Sequence, residues 1–177
     1  GAGLVQLRAK GAADGVFLEW AREAVAAARR AGVPILINDR ADIARLAGAD
    51  GVHVGQADLR PGDVRRLLPA PAIVGLSIHN LPQLEAALQE PVDYIAVGPV
   101  FPTRSKDGCD PVVGPEFVAQ ARALTGRPLV AIGGIRGENA SRVVKAGADG
   151  VAVISALLSA SSMRIAAQEL VAELRAS

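Results

Sequence analysis

Ala47-Gly48-Ala49-Asp50-Gly51-Val52 returns letter for letter as Ala146-Gly147-Ala148-Asp149-Gly150-Val151. In both places a helical pattern runs into glycine, which stops a helix, and a short apolar strand follows. The same βα junction so far apart in one chain suits a repeated ring of βα units. Working outward, short apolar strands alternate with helical patterns seven times. The strands read Leu4 to Lys10, Ile35 to Ile37, Val52 to Val54, Ile73 to Ser77, Tyr94 to Val97, Leu129 to Ile132 and Val151 to Ile154. The helices read Gly15 to Ala31, Ala41 to Ala47, Pro61 to Leu68, Leu81 to Gln89, Pro115 to Leu124, Glu138 to Ala146 and one final amphipathic helix to Leu174. Strict alternation implies a parallel sheet covered by helices, either open and doubly wound or closed as a barrel.

The strand faces favour the barrel. Val74 and Leu76 share one face, with Gly75 and Ser77 on the other; Val130 and Ile132 oppose Ala131 and Gly133. In the first strand Gln6, Arg8 and Lys10 alternate with Val5, Leu7 and Ala9. One face is apolar, as packing under helices demands, and the other turns small or polar toward the strand end. In a barrel that second face points inward, and its upper layer floors an active site. The fold expected is an α/β (β/α)8 TIM barrel with seven βα units present, residues 1–177 forming a single domain.

Composition narrows the function. The chain has 177 residues, of which 50% are hydrophobic and only 3% aromatic, with a net charge of +1. Stacking platforms and a basic footprint are lacking, so no nucleic-acid partner is expected. No apolar run reaches the length of a membrane span and no signal peptide is visible, so no membrane partner is expected and the expected location is cytoplasmic. The single cysteine, Cys109, excludes an internal disulfide framework and reads as an inert loop thiol.

The stretch from Ala96 to Lys106 carries the clearest chemistry. A strand breaks at Gly98-Pro99, and Thr103, Ser105 and Lys106 follow within four residues. Two hydroxyls and an ammonium in a proline-braced loop suit an anion such as phosphate; a solvated surface turn is the plain alternative.

Six stretches together resemble the thiamine phosphate synthase family, whose relative is the thiazole tautomerase. They are Val5-Gln6-Leu7-Arg8-Ala9-Lys10, Ile37-Asn38-Asp39-Arg40, Gly51 to Asp58, Gly98 to Lys106, Ile132-Gly133-Gly134-Ile135 and Val153-Ile154-Ser155. The family is a (β/α)8 barrel, and by this resemblance the chain begins at its second strand and is N-terminally incomplete. The edge so left would favour self-association as a homo-oligomer.

The resemblance implies coupling of hydroxymethylpyrimidine diphosphate to hydroxyethylthiazole phosphate, with release of pyrophosphate. The implied partners are these phosphorylated small molecules, and the implied cofactor is Mg²⁺. Gln6, Arg8, Lys10 and Asn38 would hold the pyrimidine diphosphate, and Asp39 and Asp58 the metal. Ser77 would sit beside the reacting methylene, and Lys106 would contact the pyrophosphate as it leaves. Thr103, Ser105, Gly134, Ile154 and Ser155 would hold the thiazole phosphate. Ser105 stands where the family usually has threonine, which keeps the hydroxyl, and Ala9 stands where glutamate is common.

Plainer readings exist for several of these residues. Asp39 and Asp58 could cap the helices that follow them. Arg8 and Lys10 could snorkel from a strand end, and Ser77 could be a satisfied core hydroxyl. His53 reads as structural support, His79 as orienting or incidental, and Phe101 and Tyr94 as packing groups. Two other functions compete: the tautomerase, and a non-catalytic regulatory barrel that binds a phosphate ligand. The tautomerase carries a histidine where this chain has Pro99, and proline cannot move protons.

Overall fold

The computed structural model describes residues 1–103 and 110–176. Strands and helices alternate along the chain: β1 (Val5–Leu7), α1 (Asp14–Ala31), β2 (Ile35–Asn38), α2 (Ala41–Ala47), β3 (Gly51–Val54), α3 (Pro61–Leu67), β4 (Ile73–Ile78), α4 (Leu81–Leu88), β5 (Tyr94–Val97), α5 (Gly114–Leu124), β6 (Leu129–Ile132), α6 (Gly137–Lys145), β7 (Gly150–Ala152), α7 (Ser155–Leu158) and α8 (Met163–Ala176). All observed pairings are parallel, so the fold class is α/β with seven βα units in TIM-barrel order. The chain divides into two compact units. One comprises Ala2–Leu76 with Glu90–Asp93; the other comprises Gly1, Ser77–Gln89 and Tyr94–Ser177.

In the first unit β1, β2, β3 and the start of β4 pair in sequence, with Gln6 opposite Leu36, Ile37 opposite Val52 and Val52 opposite Val74. Ile35, Leu36, Ile37, Val52 and Val54 are fully or almost fully buried, the signature of parallel strands covered on both faces. α1 buries Phe17, Ala21 and Val25, one residue per turn on a single stripe. It ends at Gly32, whose positive φ lets its N–H return to the carbonyls of Ala28 and Arg29.

In the second unit β6 pairs with both β5 and β7. Phe117, Val118 and Ala121 of α5 and Ala140 and Val143 of α6 supply buried helical faces. The structure divides the expected last helix in two. Ser159, Ala160, Ser161 and Ser162 intervene, and the Ser162 hydroxyl accepts the Ile165 N–H at 3.4 Å, which starts α8 afresh. Two strands are shorter than the sequence suggests: β1 stops at Leu7, before Arg8 and Lys10, and β7 stops at Ala152. Alternation of residue type continues past the last ladder bond, so it could not mark either end.

The repeated hexapeptide has a physical cause. Asp50 accepts the N–H of Ile35 at 2.8 Å through its carboxylate and returns its own N–H to the Ile35 carbonyl at 2.9 Å. Asp149 does the same for Leu129, at 2.7 Å and 2.8 Å. Asp93 repeats the device at Val74 without the flanking hexapeptide, at 2.6 Å and 2.8 Å, so the sequence hid it. Each aspartate thus closes the entry to one strand by tying it to the start of the next. Arg122 braces Asp149 from α5 at 2.9 Å. Asp149→Ala is expected to leave the Leu129 N–H unsatisfied and destabilise the protein by about 1–3 kcal/mol. Thermal denaturation reads that loss, and activity per folded molecule should not change.

Candidate active site

In the first unit the residues after β1, β2 and β3 converge at the C-terminal ends of parallel strands, where α/β proteins bind ligands. Asn38 is the last residue of β2 and His53 the third of β3, and both are almost fully buried. Asp39 follows with φ of 64°, the one non-glycine positive φ among the described residues. Its N–H donates to the His53 carbonyl at 2.8 Å. The Arg40 N–H reaches back to the Asn38 carbonyl at 2.8 Å, closing a three-residue turn centred on Asp39. Such turns are rare and strained.

Neither capping alternative holds. α2 and α3 have Arg40 and Arg60 at their N-caps, with no side-chain cap bond. Asp58 turns back instead, and its Oδ2 accepts the Gly55 N–H at 2.7 Å. That brings it beside Asp39. The Asp39 carboxyl is pushed above the ordinary carboxylate range, first by burial and then by the neighbouring Asp58. Lys10, 3.2 Å from Asp39, pulls the other way and does not win. Two carboxylates are thus held side by side, with one ammonium beside Asp39.

Arg8 and Lys10 supply cations just beyond β1. Arg8 Nε is buried and has no hydrogen-bond partner among the described residues, an unusual state for a charged donor. Lys10 is mostly exposed, and Gln6, within β1, is exposed as well. Among the described residues no three His, Cys, Asp or Glu side chains gather as a metal cage.

In the second unit Ser77 lies near the end of β4 and is buried. The sequence reads a break at Gly98-Pro99, yet the chain beyond it returns to hydrogen bonding. Val100 and Phe101 donate to the carbonyls of Ile132 and Gly133 at 2.8 and 3.0 Å. Close approach explains the glycines there: a Cβ on Gly98 would lie 2.3 Å from the Ile132 oxygen, and one on Gly134 2.5 Å from the Pro102 oxygen. Gly134 has φ of 67°, and Asn139 of α6 donates to its carbonyl at 3.0 Å.

Thr103 follows this braced segment and is half-buried. Ile154 and Ser155 lie at the start of the four-residue α7, both exposed. Phe101 packs under Arg142, whose guanidinium carbon lies 5.2 Å from the ring centroid. His79 joins its Nδ1 to the Gly98 carbonyl and its Nε2 to Asp110 at 3.3 Å, an orienting arrangement. Ser105, Lys106 and Cys109 lie outside the described residues.

The residues thus gather in two groups. Gln6, Arg8, Lys10, Asn38, Asp39 and Asp58 belong to the first unit; Ser77, Thr103, Gly134, Ile154 and Ser155 belong to the second. Sequence reasoning missed the ion pairs of Arg40, which bind it to Asp14 at 2.5 Å and to Asp42 at 2.6 Å. An arginine directly after a proposed ligand was the only signal available.

A thiamine-phosphate synthase of Chlorobium limicola is 43% identical over 171 residues, covering 97% of this chain and 81% of that protein. One from Koribacter versatilis is 49% identical over 158 residues, covering 89% and 74%. The solved thiamine phosphate pyrophosphorylase of Pyrococcus furiosus superposes with a TM-score of 0.91 at 33% identity, covering 99% of this chain and 84% of that one. No described helix is long and apolar enough to cross a membrane. The model of the thiamine monophosphate synthase family matches residues 1–157, and with relatives this similar over nearly its whole length the chain belongs to that family.

Proposed function

We propose that this chain is a thiamine-phosphate synthase. It couples hydroxymethylpyrimidine diphosphate to hydroxyethylthiazole phosphate and releases pyrophosphate. The observation that supports this reading is the approach of Asp39 and Asp58 after β2 and β3, with Lys10 3.2 Å from Asp39. Paired carboxylates beside an ammonium are a group that a divalent cation and a diphosphate would complement.

The donor set fits Mg²⁺, which takes one or two carboxylates and completes its shell with water and substrate oxygens. Asp39 and Asp58 would hold it, and when bound it neutralises charge on the diphosphate oxygens. Arg8 and Lys10 donate to the same diphosphate, while Gln6 and Asn38 orient the pyrimidine. Ser77 lies beside the methylene whose bond to oxygen breaks. The aminopyrimidine stabilises the cation left there, and the thiazole nitrogen attacks it, so no enzyme nucleophile is needed. Lys106 takes up charge on the departing pyrophosphate. Thr103, Ser105, Gly134, Ile154 and Ser155 hold the thiazole phosphate through hydroxyls and backbone donors. A (β/α)8 barrel is the frame proposed for this chemistry.

Gly134 tests the thiazole half. Gly134→Ala places a Cβ against Pro102 at a positive φ, so it should raise the thiazole phosphate KM by roughly tenfold or more, equivalent to ~1.4 kcal/mol. The pyrimidine diphosphate KM should stay near its original value. For the whole reading, chelation of divalent ions should abolish thiamine phosphate formation and added Mg²⁺ restore it. Activity untouched by chelation would remove the metal; isomerisation of a thiazole without coupling would favour the tautomerase.

A further inference from the structure

We infer that Arg40 is a positioning residue for Asp39: its guanidinium, held by Asp14 and Asp42, maintains the strained turn that presents the Asp39 carboxylate. This rests on the reading of Asp39 and Asp58 as the Mg²⁺ pair. Asp39 has φ of 64°, and backbone of that kind persists only where its surroundings over-determine it. On the side of β2 and β3 the restraint is the bond from Asp39 N–H to the His53 carbonyl. On the other side the chain passes directly into Arg40, the N-cap of α2, which has no capping bond from its own side chain.

That side chain is instead fixed at three points. Nε and Nη2 grip the two oxygens of Asp42 at 2.9 and 2.6 Å, and Nη1 meets Asp14 at 2.5 Å. Asp42 lies in the first turn of α2 and Asp14 in the first turn of α1. One planar group therefore ties the starts of two helices to the residue after Asp39. Bidentate contacts are the strong and directional form of ion pair. A cluster that only decorated the surface would have no effect on the metal.

Lysine separates these meanings, since it keeps the charge and loses the fork. Arg40→Ala should raise the Mg²⁺ concentration for half-maximal activity roughly 10–100-fold, the range typical of groups that orient metal ligands. Arg40→Lys should lie between Arg40→Ala and the parent. The thiazole phosphate KM should stay within about twofold, because its proposed donors belong to later strands. Without turnover, the rise in Tm given by Mg²⁺ with inorganic pyrophosphate should shrink in the same order.

A second comparison reads the strain itself. Glycine adopts a positive φ freely, so the fall in Tm caused by Arg40→Ala should be smaller in an Asp39→Gly background than in the parent. If the parent is indifferent to Mg²⁺, the metal reading fails and this inference fails with it. If the parent needs Mg²⁺, yet both Arg40 variants respond as it does and the fall in Tm is equal in the two backgrounds, this inference alone is overturned.

Discussion

Asp39→Asn and Asp58→Asn are each expected to lower Mg²⁺-dependent turnover on the order of 10²–10³-fold, the range for loss of one preorganised electrostatic group. Neither should lower the Tm of the metal-free protein. Asp39→Asn should raise it. Its carboxyl lies above the ordinary range because burial and Asp58 outweigh Lys10, so the ionised form costs stability. Below the pKa of the unfolded chain both states are protonated and the cost is absent. As pH rises through the higher folded value, that stability is lost, and the full deficit is present once the pH lies above it. The gap between Asp39→Asn and the parent should therefore open over that interval and close again in acid. Asparagine suits the position, because its short polar side chain tolerates positive φ. The lost Lys10 contact counts for little, since the lysine is 62% exposed. Thermal denaturation across pH, in chelator, checks the sign. An Asp39→Asn variant less stable than the parent at neutral pH would show that the carboxylate is structural.

Arg8→Ala carries the second large effect. A buried guanidinium Nε with no partner among the described residues serves stability poorly, because an unmade hydrogen bond in the interior is costly. In the proposed role that donor would instead be spent on the diphosphate. Removing it should lower kcat/KM for the pyrimidine diphosphate by ~10²–10³-fold and leave the thiazole phosphate KM near its original value. The Tm should fall little, within the loss of the packing of the side-chain stem. Steady-state kinetics varying each substrate in turn would check the split. A variant that lost stability and kept its kinetics would make Arg8 a strand-end residue and nothing more.

Much of the fold lay open in the sequence because its signals are local. Glycines at positions 32 and 48 stop helices by adopting positive φ, and apolar tetrads such as Tyr94–Val97 and Leu129–Ile132 are strands from end to end. The break between α7 and α8 was hidden, because four small residues fit an amphipathic pattern as readily as they interrupt it. The site was legible only as residue types at strand ends. That Asp39 sits in a strained turn depends on the ladder bond to His53, and that Asp58 faces it depends on a loop folding back to Gly55. Both are tertiary facts with no mark in spacing. The break at Gly98-Pro99 was legible, since β5 ends at Val97, but the bonds that Val100 and Phe101 make beyond it were not, because their acceptors in β6 and the turn after it lie about thirty residues on.

The most direct test of the central claim mixes the chain with hydroxymethylpyrimidine diphosphate, hydroxyethylthiazole phosphate and Mg²⁺, and quantifies both products over time. Thiamine phosphate and pyrophosphate should appear in equal amounts, and neither should form when one substrate is withheld. Pyrophosphate released without thiamine phosphate would reduce the protein to a hydrolase, and no product from two bound substrates would contradict the account outright.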